Sequence, residues 1–243
     1  MAHGEFVRAV RLRIGCGGPD EPAVCQLCGK GTMSRSGTHG LLCARGESVR
    51  GHNCLRDVLH ISSRAIDANS EIEPEGLLPS HPLLRPADVL TGAFHGGRLA
   101  AVDVGIICPS AQGAGLDCVQ TMHDRKAQRM SRFAAELDAS AVEYAPFAVS
   151  CWGRLHDNNK HMLRNLTKQM ARRQGRPNEQ PIYNRLVAKV TAVVWRRAAK
   201  MVNACLPKEV WGNNKDEDET SAISEMHLAR AGSPNTPELP AYE

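Results

Sequence analysis

Aromatic side chains are scarce in this sequence, with three Trp, three Tyr and four Phe among 243 residues. A core built on stacked rings is excluded, so packing must rest on Leu, Val, Ile, Ala and Met. Long apolar runs are missing as well. The longest, Leu99 to Cys108, is interrupted by Asp103 and falls far short of the ~20 residues that cross a bilayer. The start of the chain, Met-Ala-His-Gly-Glu-Phe-Val-Arg, has no apolar segment behind its charges, so no secretory leader is expected. Nine cysteines make an odd set. Without a leader they argue against a disulfide framework and for reduced thiols, some of them metal ligands. An intracellular location and no membrane partner follow. No internal repeat is visible.

What is present is a 42% hydrophobic chain with a formal net charge of only +4, unevenly placed. Residues 154 to 200 carry most of the C-terminal basic groups, and Asp216, Glu217, Asp218 and Glu219 make the end acidic. A basic segment suits a polyanionic partner and equally a solvated helix face.

Apolar periodicity predicts helices over 6–14, 52–65, 120–137, 159–173 and 182–204. Strands are expected at 88–90 and 99–108, joined by the turn His95-Gly96-Gly97-Arg98, and at 147–151, entered from Pro146 at a sheet edge. Residues 67–84 read as a connection. This order points to an α/β or α+β core of about 120 residues. The expected divisions are a leader helix and linker (1–20), a metal module (21–50), the core (51–153), a basic helical extension (154–212) and a disordered, acidic, proline-containing tail (213–243).

The metal module rests on spacing. Cys25 and Cys28 are separated by two residues, ten more lead to His39, and three more to Cys43. A tight turn brings the first two thiolates to one ion, and His39 with Cys43 completes a tetrahedron suited to structural Zn2+. Gly29, Gly31, Gly37 and Gly40 lie between the ligand pairs, where a chain wrapping a metal needs unusual dihedrals. So short a segment has almost no core of its own, and metal affinity supplies its folding free energy. His52 is an alternative to His39 or Cys43, and Cys16 and Cys54 are also near in sequence.

A second constellation is acidic. Asp88 stands at the mouth of one predicted strand and Asp103 inside the next. Alternation places Val102, Val104 and Ile106 on one side, with Ala101, Asp103 and Gly105 on the other. A carboxylate in so apolar a strand is costly unless it is paired. Two carboxylates brought together need a proton or a cation, and Mg2+ is the usual companion of a phosphodiester. Lys126 shares a helix stripe with Met122, Met130, Phe133 and Leu137, so its ammonium either snorkels outward or enters the polar site. The plain alternatives are a turn aspartate at 88 and a salt bridge from Asp103 to Arg85 or Arg98.

Together these segments resemble the C-terminal region of non-LTR retrotransposon polyproteins. There a Cys/Cys/His/Cys zinc module precedes a restriction-enzyme-like endonuclease of the PD-(D/E)XK class. Phe6 to Gly15 resembles the segment that leads into the module, and Cys25, Cys28, His39 and Cys43 fall on its ligands. His52-Asn53, with Leu55-Arg56-Asp57 behind, resembles the family's Arg-His-Asn signature, with Gly51 where arginine is usual. Arg85-Pro86-Ala87-Asp88 with Asp103 resembles the acidic pair, and Lys126 falls where a displaced catalytic lysine can stand. In the general pattern that lysine lies two positions after the second acid, where this chain has Gly105. A further acid often comes from the first helix, and Glu71, Glu73 or Glu75 serves only if the linker folds back.

The resemblance implies a Mg2+-dependent DNA endonuclease with a restriction-endonuclease-like core. Asp88 and Asp103 would hold the metal and Lys126 would act in catalysis. Nucleic acid would be held by Arg85, His52, Asn53, Arg164, Lys168, Arg172 and Arg173, with Arg196, Arg197 and Lys200 of the last helix as further candidates for the backbone. DNA, element RNA and a reverse transcriptase domain are the implied partners, and the nucleus the implied compartment.

Overall fold

The computed structural model describes residues 2–95 and 98–207. The expected tail at 213–243 and the glycines of the 95–98 turn lie outside that range. The elements in chain order are α1 (His3–Arg13), β1 (Ala23–Val24), β2 (Thr32–Met33), α2 (Thr38–Cys43), α3 (Arg45–Arg64), β3 (Glu71–Ile72), β4 (Val89–His95), β5 (Arg98–Ile107), α4 (Cys118–Ser131), α5 (Ala134–Ala139), β6 (Val142–Ser150), α6 (Asp157–Arg173) and α7 (Gln180–Ala204). This is an α/β chain with a small Cys/His unit near its N-terminus.

The main sheet has the order β3-β4-β5-β6. β3, β4 and β5 run antiparallel, and β6 lies parallel to β5, with Asp103 opposite Pro146. A parallel return needs a crossover, and α4 with α5 supplies it. β6 is a sheet edge, which is why Pro146 is tolerated inside a strand.

Strand alternation sorts the two faces as expected. Val102 and Val104 join Leu55, Leu59, Phe147, Leu163, Leu166, Leu186 and Val190 in the main core, so α3, α6 and α7 cover that face. The other face carries Ala101, Asp103 and Gly105 toward α4 and α5, where Met130, Phe133 and Leu137 bury against Ala101 and Val142. Each large apolar side chain so buried is worth roughly 1.5–3 kcal/mol.

Several expectations change. The strand read at 88–90 continues to His95, and the one read at 147–151 begins at Val142, so Pro146 lies inside it rather than at its entry. The helix read over 120–137 is two helices, because Phe133 leaves helical geometry at the start of α5 and buries edge-on to His81 (5.2 Å between ring centres). The helix read from 52 begins at Arg45, since its first two turns are mostly polar and carry no apolar stripe. The helices assigned to an extension after 153 instead share the main core, because Leu163, Leu166, Val190 and Val194 bury against the sheet. No helix among the described residues is long and apolar enough to cross a membrane.

Buried arginines, invisible to periodicity, tie the N-terminal half to α7. Arg8 is fully buried and donates to Asn203 Oδ1 (2.8 Å) and to the Gly17 carbonyl (2.6 Å). Burial, with Arg11 nearby, lowers its pKa to about 10. Arg197 reaches from α7 to Glu47 (3.2 Å) and to the Cys54 sulfur (3.0 Å).

Candidate functional site

The sulfur and nitrogen atoms of Cys25, Cys28, His39 and Cys43 all lie within 4.8 Å of one another. β1 and β2 form a hairpin whose turn carries the first two donors, and α2 presents His39 and Cys43 one turn apart. The turn is closed by the Cys25 N–H on the Gly31 carbonyl and the Gly29 N–H on the Cys25 carbonyl (both 2.8 Å). Gly31 is required by space, because a Cβ there would stand 1.9 Å from the His39 ring. Gly37 is required by its φ of +74°.

Electrostatics fit the donor set to a soft divalent cation. The N–H groups of Gly31 and Lys30 bring the Cys28 thiol down to about 6. Burial pushes Cys43 up to about 11. Burial also raises Cys25, but the Cys28 N–H and the Cys205 thiol outweigh it and leave Cys25 below its ordinary value. Three thiolates in so small a volume repel one another, and a zinc ion allows all three to ionise together. Four protein donors leave no open position, so the set is of the structural kind.

His52, Cys16 and Cys54 stand apart from this cluster. His52 bonds Asp88, Cys16 contacts the Ile14 carbonyl, and Cys54 takes Arg197. The unit is seated on α7. A Cβ at Gly40 would stand 2.9 Å from the Val202 Cα, and the Gln26 N–H donates to the Cys205 carbonyl (3.1 Å). Cys205, fully buried beside Cys25 and Cys43, had no signal in sequence.

Asp88, Asp103 and Lys126 are brought into one polar site. Asp103, only 7% exposed, accepts from Lys126 Nζ at Oδ1 (2.5 Å) and from Arg129 (2.8 Å) and the Tyr144 hydroxyl at Oδ2. Burial, followed by the Asp103 charge, pushes the Tyr144 hydroxyl well above its ordinary pKa, so it stays a donor. Asp88 accepts from His52 Nε2 at Oδ1 (2.9 Å) and from the Val104 N–H at Oδ2 (2.6 Å). Burial raises Asp88, but His52, the Val104 N–H and the charge of Lys126 carry it below the ordinary carboxylate value. Lys126 therefore acts on both acids.

Gly105 explains how Lys126 gets there. A Cβ at Gly105 would stand 2.6 Å from Lys126 Cε and 3.2 Å from Met122 Cγ. The lysine stem lies over the glycine, in the space that a side chain at 105 would occupy. Gly51 shows the same arrangement, since a Cβ there would meet the Arg197 side chain at 3.1 Å.

The partners expected for Asp103 go elsewhere. Arg85 pairs with Glu73 (2.8 Å) and Glu75, and Arg98 lies 3.5 Å from Asp138. The 67–84 connection does fold back, because the Glu73 N–H bonds the Asp88 carbonyl (2.9 Å). The Glu73 carboxylate, however, is held by Arg56 and Arg85. Sequence reasoning missed Arg129 and Tyr144.

The cations and polar groups expected to meet nucleic acid are dispersed. On α6, Lys168 and Arg172 are exposed, Arg164 lies over the Tyr183 ring (5.2 Å), and Arg173 donates to the Ala65 carbonyl (2.8 Å). Asn53 is half-buried on α3 beside His52. Arg85 belongs to the Glu73/Glu75 network, Arg196 and Lys200 pair with Glu5, and Arg197 pairs with Glu47. No family model, curated protein or solved structure matches the chain.

Proposed function

We propose that this chain is a metal-dependent endonuclease domain that nicks DNA, braced by a zinc module and derived from a non-LTR retrotransposon. The observation that carries this reading is Lys126 lying over Gly105 with its ammonium on Asp103 and its field on Asp88. In this reading the lysine that the acid–acid–lysine pattern would place at 105 comes instead from the neighbouring helix. The order α3, β3–β5, α4, β6 supports the same reading, since a mixed sheet with helices on both faces is what the restriction-enzyme-like core would provide.

Asp88 and Asp103 are the residues that would hold magnesium, a hard cation that prefers carboxylate oxygen. Bound there, it would supply a Lewis acid for the phosphate and an activated water. Arg129, whose side chain is largely exposed, would exchange Asp103 for a phosphate oxygen. Lys126 would stay with the acids and fix the water or the scissile phosphate. His52 and the Val104 N–H hold Asp88 in one orientation. The zinc module would position α1, α3 and α7 rather than react, and exposed cations of α6 would contact the backbone. A reverse transcriptase domain, element RNA and a nuclear site of action belong to this reading.

A second reading has its own observation. Both oxygens of Asp103 are already matched by Lys126, Arg129 and Tyr144, so the site also suits a nucleic-acid-binding protein that has lost catalysis. Nicking of supercoiled plasmid by the zinc-loaded chain, with and without magnesium and alongside Asp103→Ala, decides between them. Magnesium-dependent nicking that the substitution abolishes supports the nuclease. Binding with no nicking selects the second reading.

A further inference from the structure

Outside the carboxylate site, a cleft of about 380 Å³ runs along the open edge of β6 between α4 and α6. Its floor is the strand from Glu143 to Pro146, and its walls include Ala127 and His123 from α4 and His161 and Asn165 from α6. The volume lies in the range of small-ligand sites. Tyr144 lines the cleft and bonds Asp103, and Pro146, also in the floor, is the register partner of Asp103. Whatever sits in the cleft is therefore one strand away from Asp103.

The walls are held in place before any ligand arrives. The His123 ring stacks on His156 (3.9 Å between centres, 8° between planes). Asn158 holds its Nε2 (3.2 Å), and Asp124 sits at its Nδ1 (3.2 Å). Asn165, in the cleft wall, is fixed by donating to the Phe94 carbonyl (3.2 Å). Preorganised flat groups with a few fixed polar atoms favour a flat ligand that carries both donors and acceptors.

The charge leading away from the cleft completes the argument. His161, Asn165, Lys168 and Arg172 fall on one face of α6 at helical spacing. After Asp157 the helix carries no acidic residue. Lys168 and Arg172 have no acidic partner among the described residues, so an electropositive track starts at the cleft. We propose that the β6-edge cleft receives one unpaired nucleobase, with the phosphates of that single strand following α6 over Lys168 and Arg172. Base stacking on flat side chains beside a cationic track is the usual chemistry of single-strand binding. The proposal rests on the nucleic-acid reading above but not on cleavage.

The test is fluorescence anisotropy of labelled oligothymidylate with the zinc-loaded full chain, without magnesium. An all-abasic strand of equal length serves as the phosphate-only control. Ala127→Phe fills the cleft without changing charge, and binding of oligothymidylate is expected to weaken by about tenfold, the scale of one stacked base. The abasic strand should bind about tenfold more weakly than oligothymidylate and be indifferent to Ala127→Phe. Lys168→Ala with Arg172→Ala should weaken both strands alike and reduce the salt slope by about one per lost cation. His161→Ala, at an exposed wall position, is the second variant should Ala127→Phe fail to fold. Oligouridylate of equal length separates RNA from DNA, since tighter, cleft-dependent binding by either one names the natural strand. Equal binding of abasic and intact strands, or no effect of either cleft variant in folded protein, overturns the proposal whether or not the chain proves to be a nuclease.

Discussion

The zinc-type module and the carboxylate site are both polar clusters in a chain short of aromatics, yet they are built in opposite ways. Cys25, Cys28, His39 and Cys43 come from one short stretch whose own turns bring them together. Asp88, just before β4, Asp103 of β5, Lys126 and Arg129 of α4 and Tyr144 of β6 meet only once those elements have assembled. The first cluster crowds thiols and calls for a cation from outside. The second brings its own cations to its acids. The first is a donor set that a metal ion would complete, and the second is a site that depends on the fold.

The largest expected effect concerns the donor set. Chelation of zinc, or Cys28→Ser, should unfold residues 23–43, because structural zinc supplies roughly 10 kcal/mol or more to a segment with little core of its own. Hydrogen exchange should show loss of protection there and at the end of α7, where Gly40 meets Val202 and Gln26 meets Cys205. The sheet should remain protected. Unchanged exchange over 23–43 after complete zinc removal would erase the contrast between the two clusters.

Lys126→Ala probes the other side. It leaves a nearly buried Asp103 with Arg129 and Tyr144 but without its closest cation, and thermal or denaturant unfolding should show a loss of about 3 kcal/mol with zinc content unchanged. The sharper version exchanges the two positions. Gly105→Lys alone should be destabilised by about 1–3 kcal/mol, as overpacking against the Lys126 stem. Combined with Lys126→Ala it should recover stability and, in the nuclease reading, part of the nicking. If the double variant is no better than the sum of its parts, the space over Gly105 is not what seats the lysine.

Gly51 teaches the same lesson at a second place. In both cases a glycine stands where the proposed nuclease reading expects a cation, and in both a cation from another helix lies across it: Lys126 over Gly105 and Arg197 over Gly51. A linear pattern reads each as a loss. Only the packing shows the space refilled, because the helix that refills it is set by tertiary contacts and not by the local sequence.

That distinction also marks how far the sequence could be read. Strand alternation put Asp103 and Gly105 on the correct face, and ligand spacing located the Cys/His cluster, since both are local properties of the chain. The partners of Asp103 were not legible. Tyr144 reaches it because β6 pairs in parallel with Asp103 opposite Pro146, a register that a short apolar run cannot reveal. Arg129 reaches it one helical turn beyond Lys126, but the charge pattern alone offered Arg85 and Arg98 equally. Phe133 broke the expected long helix for a reason of packing, burying against the layer that holds Leu78 and Leu137.

The smallest expected effect concerns His52 and Asp88. Asp88 has a folded-state pKa below its ordinary value, with His52 the leading cause of the lowering and the Val104 N–H behind it. A depressed carboxylate contributes stability that is present above its unfolded pKa of about 4 and is lost as pH falls through the lower folded value. His52→Gln keeps a polar side chain but removes the imidazole that meets Asp88 Oδ1, so stability near neutral pH should drop by about 1 kcal/mol. The acid-unfolding midpoint should move upward, because Asp88 then takes its proton at a higher pH. Circular dichroism followed from pH 7 to acid reads both effects. A midpoint that stays in place would mean that the Val104 N–H and Lys126 suffice to hold the carboxylate. In that case His52 is available to act beyond Asp88, and its bond there is a resting contact rather than a support.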